Sequence, residues 1–532
     1  MDICPLDDSV VMVDQVLLGV DLGTGSSKAV LVTPAGETLA TASVPHQVQM
    51  PHPGWFEVDA ESTWWGDVVA LCRELLPKVN GRQIAGVCVS GVGPCLLLTD
   101  SAFRAERPAI LYGVDTRATE EIDDLTTLLG AEAIVRRCGK ALSTQAVGPK
   151  LLWVRRNEPH VWSQATRWFT SGSYAVARLT GEYILDHTTA SQCDPLYDLE
   201  AGDWARDWAE RVVGDLALPR LVEPSDVVGV VNTAASEQTG LPLGTPVVAG
   251  AVDAWAEACS AGVREPGDMM VMYGSTMFLL QVLTEPIYDP ALWTTRGIDA
   301  GSYTLAAGMA TSGSLMSWLQ ALYGGAPFAD LVTEARAIPP GSDGLLMLPY
   351  FAGERSPLFD PNARGVLAGL TLRHTRAHLF RAAYEAVAFG IRNILDVVEG
   401  SGGVAASRLV AVGGGTQGGL WTQVVSDVCG REQSVPRQAI GASYGSALLA
   451  ARGIGLVPQD TVWAQPAKTV TPDPAQRGVY DEMYELYLSL YPATREIVHR
   501  LSRLERSGTL PPPPSVCDPR RRSRDLNNHG LV

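Results

Sequence analysis

Residues 19–32 decide the fold, and they read Gly19-Val20-Asp21-Leu22-Gly23-Thr24-Gly25-Ser26-Ser27-Lys28-Ala29-Val30-Leu31-Val32. Apolar runs on both sides of the central glycines predict two strands joined by a tight turn. Gly23 and Gly25 can adopt backbone angles that are closed to other residues, so the turn can fold closely around a ligand. The pattern therefore predicts a glycine-rich β-hairpin.

The polar residues of this hairpin are suited to binding a phosphate group. Thr24 and Ser26 supply hydroxyl groups, successive turn amides can form an anion-binding concavity, and Lys28 adds a positive charge. Asp21 is a candidate ligand of Mg²⁺, through water. The turn leads into a strand and not into a helix, so it is not a Walker A loop. Taken alone, the stretch also fits an ordinary glycine-rich hairpin.

Length and charge narrow the class of protein. The chain has 532 residues, which is longer than one hydrophobic core usually supports, so two large domains are expected. A net charge of −17 disfavours nucleic acid or an anionic membrane as a partner. No apolar run reaches membrane-spanning length, and the acidic N-terminus is unlike a secretory signal. The nine cysteines form no Cys-x-x-Cys pair, which argues against a zinc site or a disulfide framework. We expect a cytoplasmic protein.

Strands and helices alternate along the chain, which predicts an α/β architecture. The predicted organisation is an N-terminal extension over 1–14, a first domain over 15–255, a second domain over 256–505 and a disordered tail over 506–532. The tail contains a proline run and a basic cluster, interpreted as a solvated segment and not as a nucleic-acid site. Within the second domain, small residues followed by an apolar run predict a helix over Ala306–Leu322.

Three further stretches suggest a nucleotide site. Met272-Tyr273-Gly274-Ser275-Thr276-Met277 is a second strand, small-hydroxyl turn and strand, about one domain after the first. Val410-Ala411-Val412-Gly413-Gly414-Gly415-Thr416-Gln417 delivers a glycine run to a helix, where a flat ligand can approach the backbone. Val247–Ala254 is a small-residue strand that ends in Asp253, which would open the next helix. Each has a plain structural alternative: a turn, a loop, and a helix N-cap at Asp253.

Together these stretches resemble the two-lobed ATPase fold of actin, hexokinases and Hsp70 chaperones, and most closely the FGGY family of carbohydrate kinases. The family's C-terminal pattern is matched by Gly365-Val366-Leu367-Ala368-Gly369-Leu370 followed, seven residues later, by His378-Leu379-Phe380-Arg381-Ala382-Ala383-Tyr384-Glu385. Phe351-Ala352-Gly353-Glu354-Arg355-Ser356-Pro357 resembles its Gly-Glu-Arg-x-Pro region. The resemblance implies an α/β fold of two ribonuclease-H-like (actin-like ATPase) domains with an interdomain cleft, the first binding sugar and phosphate, the second nucleotide.

The resemblance also implies roles for individual residues. Asp253 is the implied general base that takes the proton of a sugar hydroxyl. The remaining residues are implied contacts of ATP and Mg²⁺: a first phosphate loop (Gly23, Thr24, Gly25, Ser26, Lys28) with Asp21 near the metal through water, a second phosphate loop (Gly274, Ser275, Thr276), nucleotide contacts (Gly313, Ser317) and an adenosine turn (Gly414, Gly415). A homodimer is compatible with the sequence.

The sugar is less constrained than the chemistry. The resemblance places Gly93, Pro94, Asp115, Arg117, Gln145 and Asp253 on the substrate side. The loop Val92-Gly93-Pro94-Cys95 matches neither the Gln-Met-His of xylulokinases nor the Arg-Glu of glycerol kinases. We expect a pentulose such as D-xylulose or a related ketose. The alternatives are a kinase for a polyol or aldonate (erythritol, ribitol, gluconate) and, from another class, a non-metabolic actin-like or Hsp70-like ATPase.

Overall fold

The computed structural model describes residues 15–437 and 441–506. The predicted N-terminal extension, 1–14, and residues 507–532 of the predicted tail lie outside the described residues. Within the described part, no helix has the length and apolarity needed to cross a bilayer.

The strands follow the expected apolar runs, and the central strands β1, β5 and β15 are buried on both faces. In chain order they are β1 Gln15–Leu22, β2 Ser26–Val32, β3 Thr38–Pro45, β4 Glu57–Val58, β5 Gln83–Gly91, β6 Leu97–Thr99, β7 Ala109–Ile110, β8 Arg167–Phe169, β9 Ile184–Asp186, β10 Tyr197–Asp198, β11 Asp203–Trp204, β12 Arg220–Val222, β13 Val227–Val230, β14 Pro246–Val248, β15 Asp268–Tyr273, β16 Met277–Leu283, β17 Trp293–Arg296, β18 Tyr303–Met309, β19 Leu346–Leu348, β20 Val366–Ala368, β21 Arg408–Val412, β22 Gln433–Pro436 and β23 Pro466–Val470.

The helices cover these sheets. They are α1 Gly66–Leu75, α2 Thr119–Leu129, α3 Ala131–Cys138, α4 Val147–Asn157, α5 Pro159–Gln164, α6 Ser171–Thr180, α7 His187–Ala190, α8 Arg206–Val213, α9 Thr233–Thr239, α10 Asp253–Ser260, α11 Gly313–Leu322, α12 Phe328–Arg336, α13 Arg376–Gly400, α14 Leu420–Cys429, α15 Ala442–Gly453 and α16 Arg477–Arg506. A π-helical turn, Ala60–Trp65, leads into α1, and a 3₁₀ turn, Gly414–Thr416, follows β21.

Two large sheets repeat one strand order. The first runs β13-β14-β5-β1-β2-β3 and the second runs β17-β18-β16-β15-β21-β22-β23. In both, a strand pairs with the next one as an antiparallel hairpin (β1 with β2, β15 with β16) and with a later strand in parallel (β1 with β5, β15 with β21). The chain thus contains the same α/β lobe twice, and the predicted two-lobed fold class is confirmed.

Two helices join the lobes, because each packs against the sheet of the other half of the chain. Helix α15, from the second half of the chain, packs on the first sheet against Leu17, Val30 and Val248. Helix α10, from the first half, packs beneath the second sheet against Met270 and Val410. A Cβ on Gly445 would lie 1.8 Å from the Ala256 carbonyl oxygen, so α10 and α15 cross in direct backbone contact. Helix α10 is therefore held against both sheets.

The predicted helix over Ala306–Leu322 is wrong in its first part. Residues Tyr303–Met309 form β18, which pairs with β16 over seven residues, and the helix begins only at Gly313. The run Ala306-Ala307-Gly308 is compatible with a helix by its small side chains, but Ala306 and Ala307 are buried within the second sheet. Tertiary packing overrides local propensity here.

Candidate active site

The first glycine-rich turn closes the β1–β2 hairpin as predicted. Asp21 is paired with Lys28 across the hairpin, and Gly23, Thr24 and Gly25 form the turn. Gly25 is exposed, and a Cβ built on it would meet no atom within 4 Å. The hydroxyl of Ser26 has no hydrogen-bond partner among the described residues, and the exposed Lys28 forms no ion pair among them. The turn is therefore open to a ligand.

Neighbouring strands bring a second carboxylate to this turn. The Ser90 hydroxyl on β5 donates to Asp21 Oδ1 at 3.3 Å, and the Gly91 amide donates to the Ala251 carbonyl at 3.4 Å. Because β1, β5 and β14 are parallel, their carboxyl ends lie at one edge of the sheet. Asp253, the first residue of α10, follows directly at this edge.

Asp253 is not an N-cap. The capping position is Val252, and within the described part of the chain the Asp253 carboxylate accepts a hydrogen bond only from the adjacent Ala254 amide, at 2.7 Å. A capping side chain would instead bind an amide two or three residues ahead. The carboxylate is thus left available for another partner, and the capping alternative is not supported.

Three carboxylates crowd this part of the cleft: Asp21, Asp253 and Glu257, here called the cleft carboxylates. Burial raises the pKa of Asp21, and the charges of Asp253 and Glu257 raise it further, while Lys28 lowers it. Burial also raises the pKa of Asp253, where Glu257 adds to the effect, and that of Glu257, where Lys28 opposes it. Each carboxylate therefore holds its proton more tightly than an exposed acid.

The second turn, between β15 and β16, is built against a helix N-terminus. The amides of Ser312 and Ser314 donate to the Ser275 carbonyl, and the Gly313 amide donates to the Gly274 carbonyl at 2.9 Å. A Cβ on Gly313 would lie 2.6 Å from that carbonyl oxygen, so only glycine fits. Ser275 and Thr276 are exposed, and their hydroxyls have no partner among the described residues. The structure thus brings Gly274, Ser275 and Gly313 together.

The predicted adenosine turn lies beside the second turn. Gly413 has a positive φ of 91°, and its Cβ position is 2.8 Å from the Tyr273 carbonyl oxygen at the end of β15. Gly415 is packed against Trp421, whereas Gly414 is exposed with open space around it. Ser317 is exposed on α11, where its hydroxyl donates to the Gly313 carbonyl at 3.1 Å. Gly414 and Ser317 are both accessible to a ligand.

The two turns meet around Asp253. Its neighbours Val252 and Ala254 pack in the same apolar cluster as Met272 and Phe278, which flank the second turn. The first turn reaches Asp253 through Asp21, as described above. Asp253 therefore lies between two glycine-rich turns, one from each lobe.

Gly93, Pro94 and Gln145 are the predicted substrate-side residues that lie on the loops around the site. Gly93 and Pro94 lie near Asp253, since the Cβ position of Gly93 is 3.8 Å from a Val252 methyl group. Gln145 Oε1 accepts a hydrogen bond from the Gly113 amide at 3.0 Å, so its side chain braces the loop after β7.

Asp115 and Arg117 do not present polar atoms to the cleft. Their side chains are fully buried, and Arg117 binds Asp115 and Glu57, each at 2.7 Å, while stacking on Trp55. The Asp115 carboxylate also accepts from the Phe56 amide at 2.7 Å. Because these groups are already paired within the protein, we infer that the two residues support the loop that carries Tyr112, and their direct contact with the sugar stays a prediction.

Two consecutive domains of the chain match models of one protein family. The model for the N-terminal domain of the FGGY family of carbohydrate kinases matches residues 16–259, and the model for its C-terminal domain matches residues 269–454. The chain belongs to the FGGY family of carbohydrate kinases. It is therefore a phosphotransferase that acts on a small sugar-like substrate, and the family implies ATP as the phosphoryl donor.

Relatives of this FGGY kinase match it over almost its whole length. A xylulose kinase of Lactococcus lactis subsp. lactis is 28% identical, covering 92% of this chain and 99% of that protein. A xylulose kinase of Klebsiella pneumoniae is 31% identical, with 82% and 88% covered. The crystal structure of xylulose kinase from Rhodospirillum rubrum superposes with a TM-score of 0.84 at 32% identity, covering 91% of this chain and 100% of that one.

Three residues of this FGGY kinase that the sequence did not single out for a role face the same cleft. The Thr24 hydroxyl donates to the Tyr112 hydroxyl at 3.2 Å, and the pKa of Tyr112 is raised by burial and, less strongly, by Asp253. Arg355 of the second lobe is near enough to lower that pKa, and its own Nε is buried without a partner among the described residues. Glu257 follows Asp253 by four residues on α10, which puts both on one helix face. Of the three, only the Glu257 spacing is a signal readable from sequence.

Proposed function

We propose that this kinase transfers the γ-phosphoryl group of MgATP to a hydroxyl of a pentulose such as D-xylulose, with Asp253 as the general base. The observation that carries the proposal is the position of Asp253. Asp253 begins α10 between two open glycine-rich turns, and among the described residues its carboxylate is hydrogen-bonded only to the adjacent Ala254 amide. The similarity to xylulose kinases supports a five-carbon ketose as the acceptor.

Phosphoryl transfer asks the protein mainly to align the reactants and to stabilise charge. In this scheme the phosphates are bound by Lys28 and by the amides and hydroxyls of the two turns (Gly23, Thr24, Gly25 and Ser26 in the first; Gly274, Ser275 and Thr276 in the second). The rest of the nucleotide is contacted by Gly313, Ser317, Gly414 and Gly415. Asp253 orients the attacking hydroxyl and accepts its proton. Gly93, Pro94 and Gln145 form part of the sugar wall.

Among the cleft carboxylates, Asp21 is the proposed contact of a magnesium ion, through water. The three carboxylates are oxygen donors with excess negative charge, as their mutual effect on pKa indicates. No group of three or more His, Cys, Asp or Glu residues in the described part is arranged to enclose a metal. Mg²⁺ is usually held by one or two carboxylates with water and substrate phosphates, so Asp21 through water is the proposed ligand. When bound, the ion would neutralise charge on the phosphoryl oxygens.

A coupled assay of ADP release over a panel of sugars tests the proposal. We expect D-xylulose or a related ketopentose to give the highest kcat/KM, with erythritol, ribitol, gluconate and glycerol well below it. Efficient turnover of glycerol or gluconate would contradict the proposed acceptor, and ATP hydrolysis that no sugar stimulates would contradict a sugar kinase. Omitting Mg²⁺ should abolish turnover.

A further inference from the structure

The first phosphate turn is held from behind by His46, the residue that directly follows β3. The imidazole Nε2 of His46 lies 3.1 Å from the carbonyl oxygens of both Gly23 and Thr24. Its backbone amide donates to the Gly25 carbonyl, also at 3.1 Å. One residue thus binds three successive carbonyls of the turn.

The second nitrogen of the imidazole is hydrogen-bonded to a buried carboxylate. His46 Nδ1 lies 2.7 Å from Asp67 Oδ2, and the same oxygen accepts from the Ser27 hydroxyl at 2.7 Å. The two side chains are only 9% and 7% exposed. Asp67 lies near the start of α1, directly after the π-helical turn Ala60–Trp65.

The hydrogen-bond geometry favours a positively charged imidazole. A carbonyl oxygen and an ionised carboxylate only accept hydrogen bonds, and a neutral imidazole has a single N–H to donate. Because both ring nitrogens of His46 face acceptors, both bonds form only with an imidazolium. The hydrogen bond to Asp67, followed by the charge of Asp67 and the two turn carbonyls, correspondingly raises the pKa of His46 against the effect of burial.

This contact also orients the amides of the turn. In a planar trans peptide, the carbonyl of one residue and the N–H of the next point in opposite directions. Since the Gly23 and Thr24 carbonyls point at His46, the N–H groups of Thr24 and Gly25 point away from it, and neither has an acceptor among the described residues. The Cβ position of Gly25 has no atom within 4 Å, so there is open space at the turn for a ligand.

We propose that His46, as an imidazolium paired with Asp67, is a positioning residue that aims the Thr24 and Gly25 amides at the phosphates of ATP. The inference rests on the proposed function, because that function assigns the turn to ATP. Asp67 of α1 is the charged group that faces the ring. From the β1–β2 side His46 meets only backbone carbonyls, and no other ionisable side chain in the described part hydrogen-bonds to it.

The first test measures nucleotide binding without any sugar. Calorimetric titration with Mg²⁺ and a non-hydrolysable ATP analogue should give a Kd about tenfold higher for His46→Gln than for wild type, the usual scale for lost hydrogen bonds to a charged group. The KM for sugar should stay near the wild-type value in turnover assays. A His46→Gln enzyme with wild-type nucleotide affinity would overturn the proposal.

A second His–Asp pair supplies the matched control. His378 Nε2 lies 3.1 Å from Asp343 Oδ2 at the start of α13, and a glutamine at this position retains the capping box with Thr375. His378→Gln should bind the analogue like wild type. If it weakens binding as much as His46→Gln does, the effect is general and the positioning role is rejected.

The pH profile separates positioning from simple bracing of the fold. Since the raised pKa favours the charged ring, wild-type affinity should be constant below that pKa and should weaken as the pH rises through it. Asp67→Asn removes the carboxylate charge, so the weakening should begin at a lower pH. Identical profiles for wild type and Asp67→Asn would overturn the proposal.

If the variants fold poorly, the wild-type protein still decides the question. The ¹⁵N chemical shifts of the His46 ring at pH 7 should be those of an imidazolium with both nitrogens protonated. A neutral single tautomer would overturn the assignment. Because neither calorimetry nor the spectrum uses a sugar, failure to find an acceptor sugar would count against the proposed function alone.

Discussion

The two glycine-rich turns have the same place in their lobes but are supported by different groups. In the first, the carbonyls of Gly23 and Thr24 are bound by the His46 side chain, which Asp67 holds. In the second, the carbonyls of Gly274 and Ser275 are bound by backbone amides at the N-terminus of α11. Equivalent hairpins can thus be fixed by a titratable side chain or by a helix end.

The difference has a functional consequence. The first amides of a helix have no partner within the helix, so α11 can support its turn at any pH. Support by His46 depends on the charge of the ring and on the packing of β3 and α1 behind the turn. We therefore expect the first turn to be the pH-sensitive half of the phosphate site and the second turn to be the constant half.

The largest effect is expected at Asp253, the residue between the two turns. Asp253→Asn keeps the size of the side chain but cannot accept a proton, and losing a positioned base typically costs about 10²–10⁴ in rate. Initial-rate assays should show that loss in kcat, while the melting temperature stays near wild type because Asp253 is not the helix cap. An Asp253→Asn variant with wild-type kcat would show that Asp253 is not the general base.

The pH dependence of kcat on the acid side tests the raised pKa of Asp253. Burial and the charge of Glu257 raise the pKa of Asp253, so the ionised base is lost as the pH falls through that raised value. We expect kcat at saturating substrates to fall on acidification well above the ordinary aspartate range. Glu257→Gln removes a charge that raises the pKa, so its acid limb should move to lower pH. If the acid limb does not move in this variant, Glu257 does not influence the pKa of the catalytic base.

Local patterns were enough to predict the parts of the site that a single hairpin carries. Glycines and hydroxyls at 23–26 and 274–276 are adjacent in sequence, so the turns were readable directly. His46 and Asp67 were not, because they meet only when β3 and α1 pack behind the turn. The same limit applies to Asp115 and Arg117, which the family resemblance places on the substrate side, because their pairing with Glu57 and the stacking of Arg117 on Trp55 could not be read from the sequence.

A pair of glycine variants distinguishes ligand space from packing space in the two turns. The Cβ position of Gly25 is open, so Gly25→Val should leave the melting temperature nearly unchanged but raise the KM for ATP about tenfold by occupying the phosphate side. Gly313→Ala should instead destabilise the protein by about 1–3 kcal/mol, because its Cβ would overlap the Gly274 carbonyl. Thermal melting and ATP kinetics on both variants check this. Unchanged ATP binding in Gly25→Val would remove the first turn from the phosphate site.

The smallest effect is expected on the sugar side, outside both turns. Gln145 Oε1 binds the Gly113 amide and the Thr144 hydroxyl binds the Gly113 carbonyl, so this pair fixes the residue next to Tyr112. Gln145→Ala leaves that amide without its acceptor, and one such hydrogen bond contributes about 1 kcal/mol. The KM for sugar should therefore rise about two- to tenfold, with the KM for ATP unchanged.

The conservative variant Gln145→Glu decides what the residue does. A glutamate retains an acceptor for the Gly113 amide, so it should recover most of the sugar KM if bracing the Tyr112 loop is the role of Gln145. If both variants raise the sugar KM equally, the amide Nε2, which has no partner among the described residues, binds the sugar directly. Wild-type sugar kinetics in Gln145→Ala would remove this loop from the sugar wall, because Gly93 and Pro94 have no side-chain donors that could compensate for it.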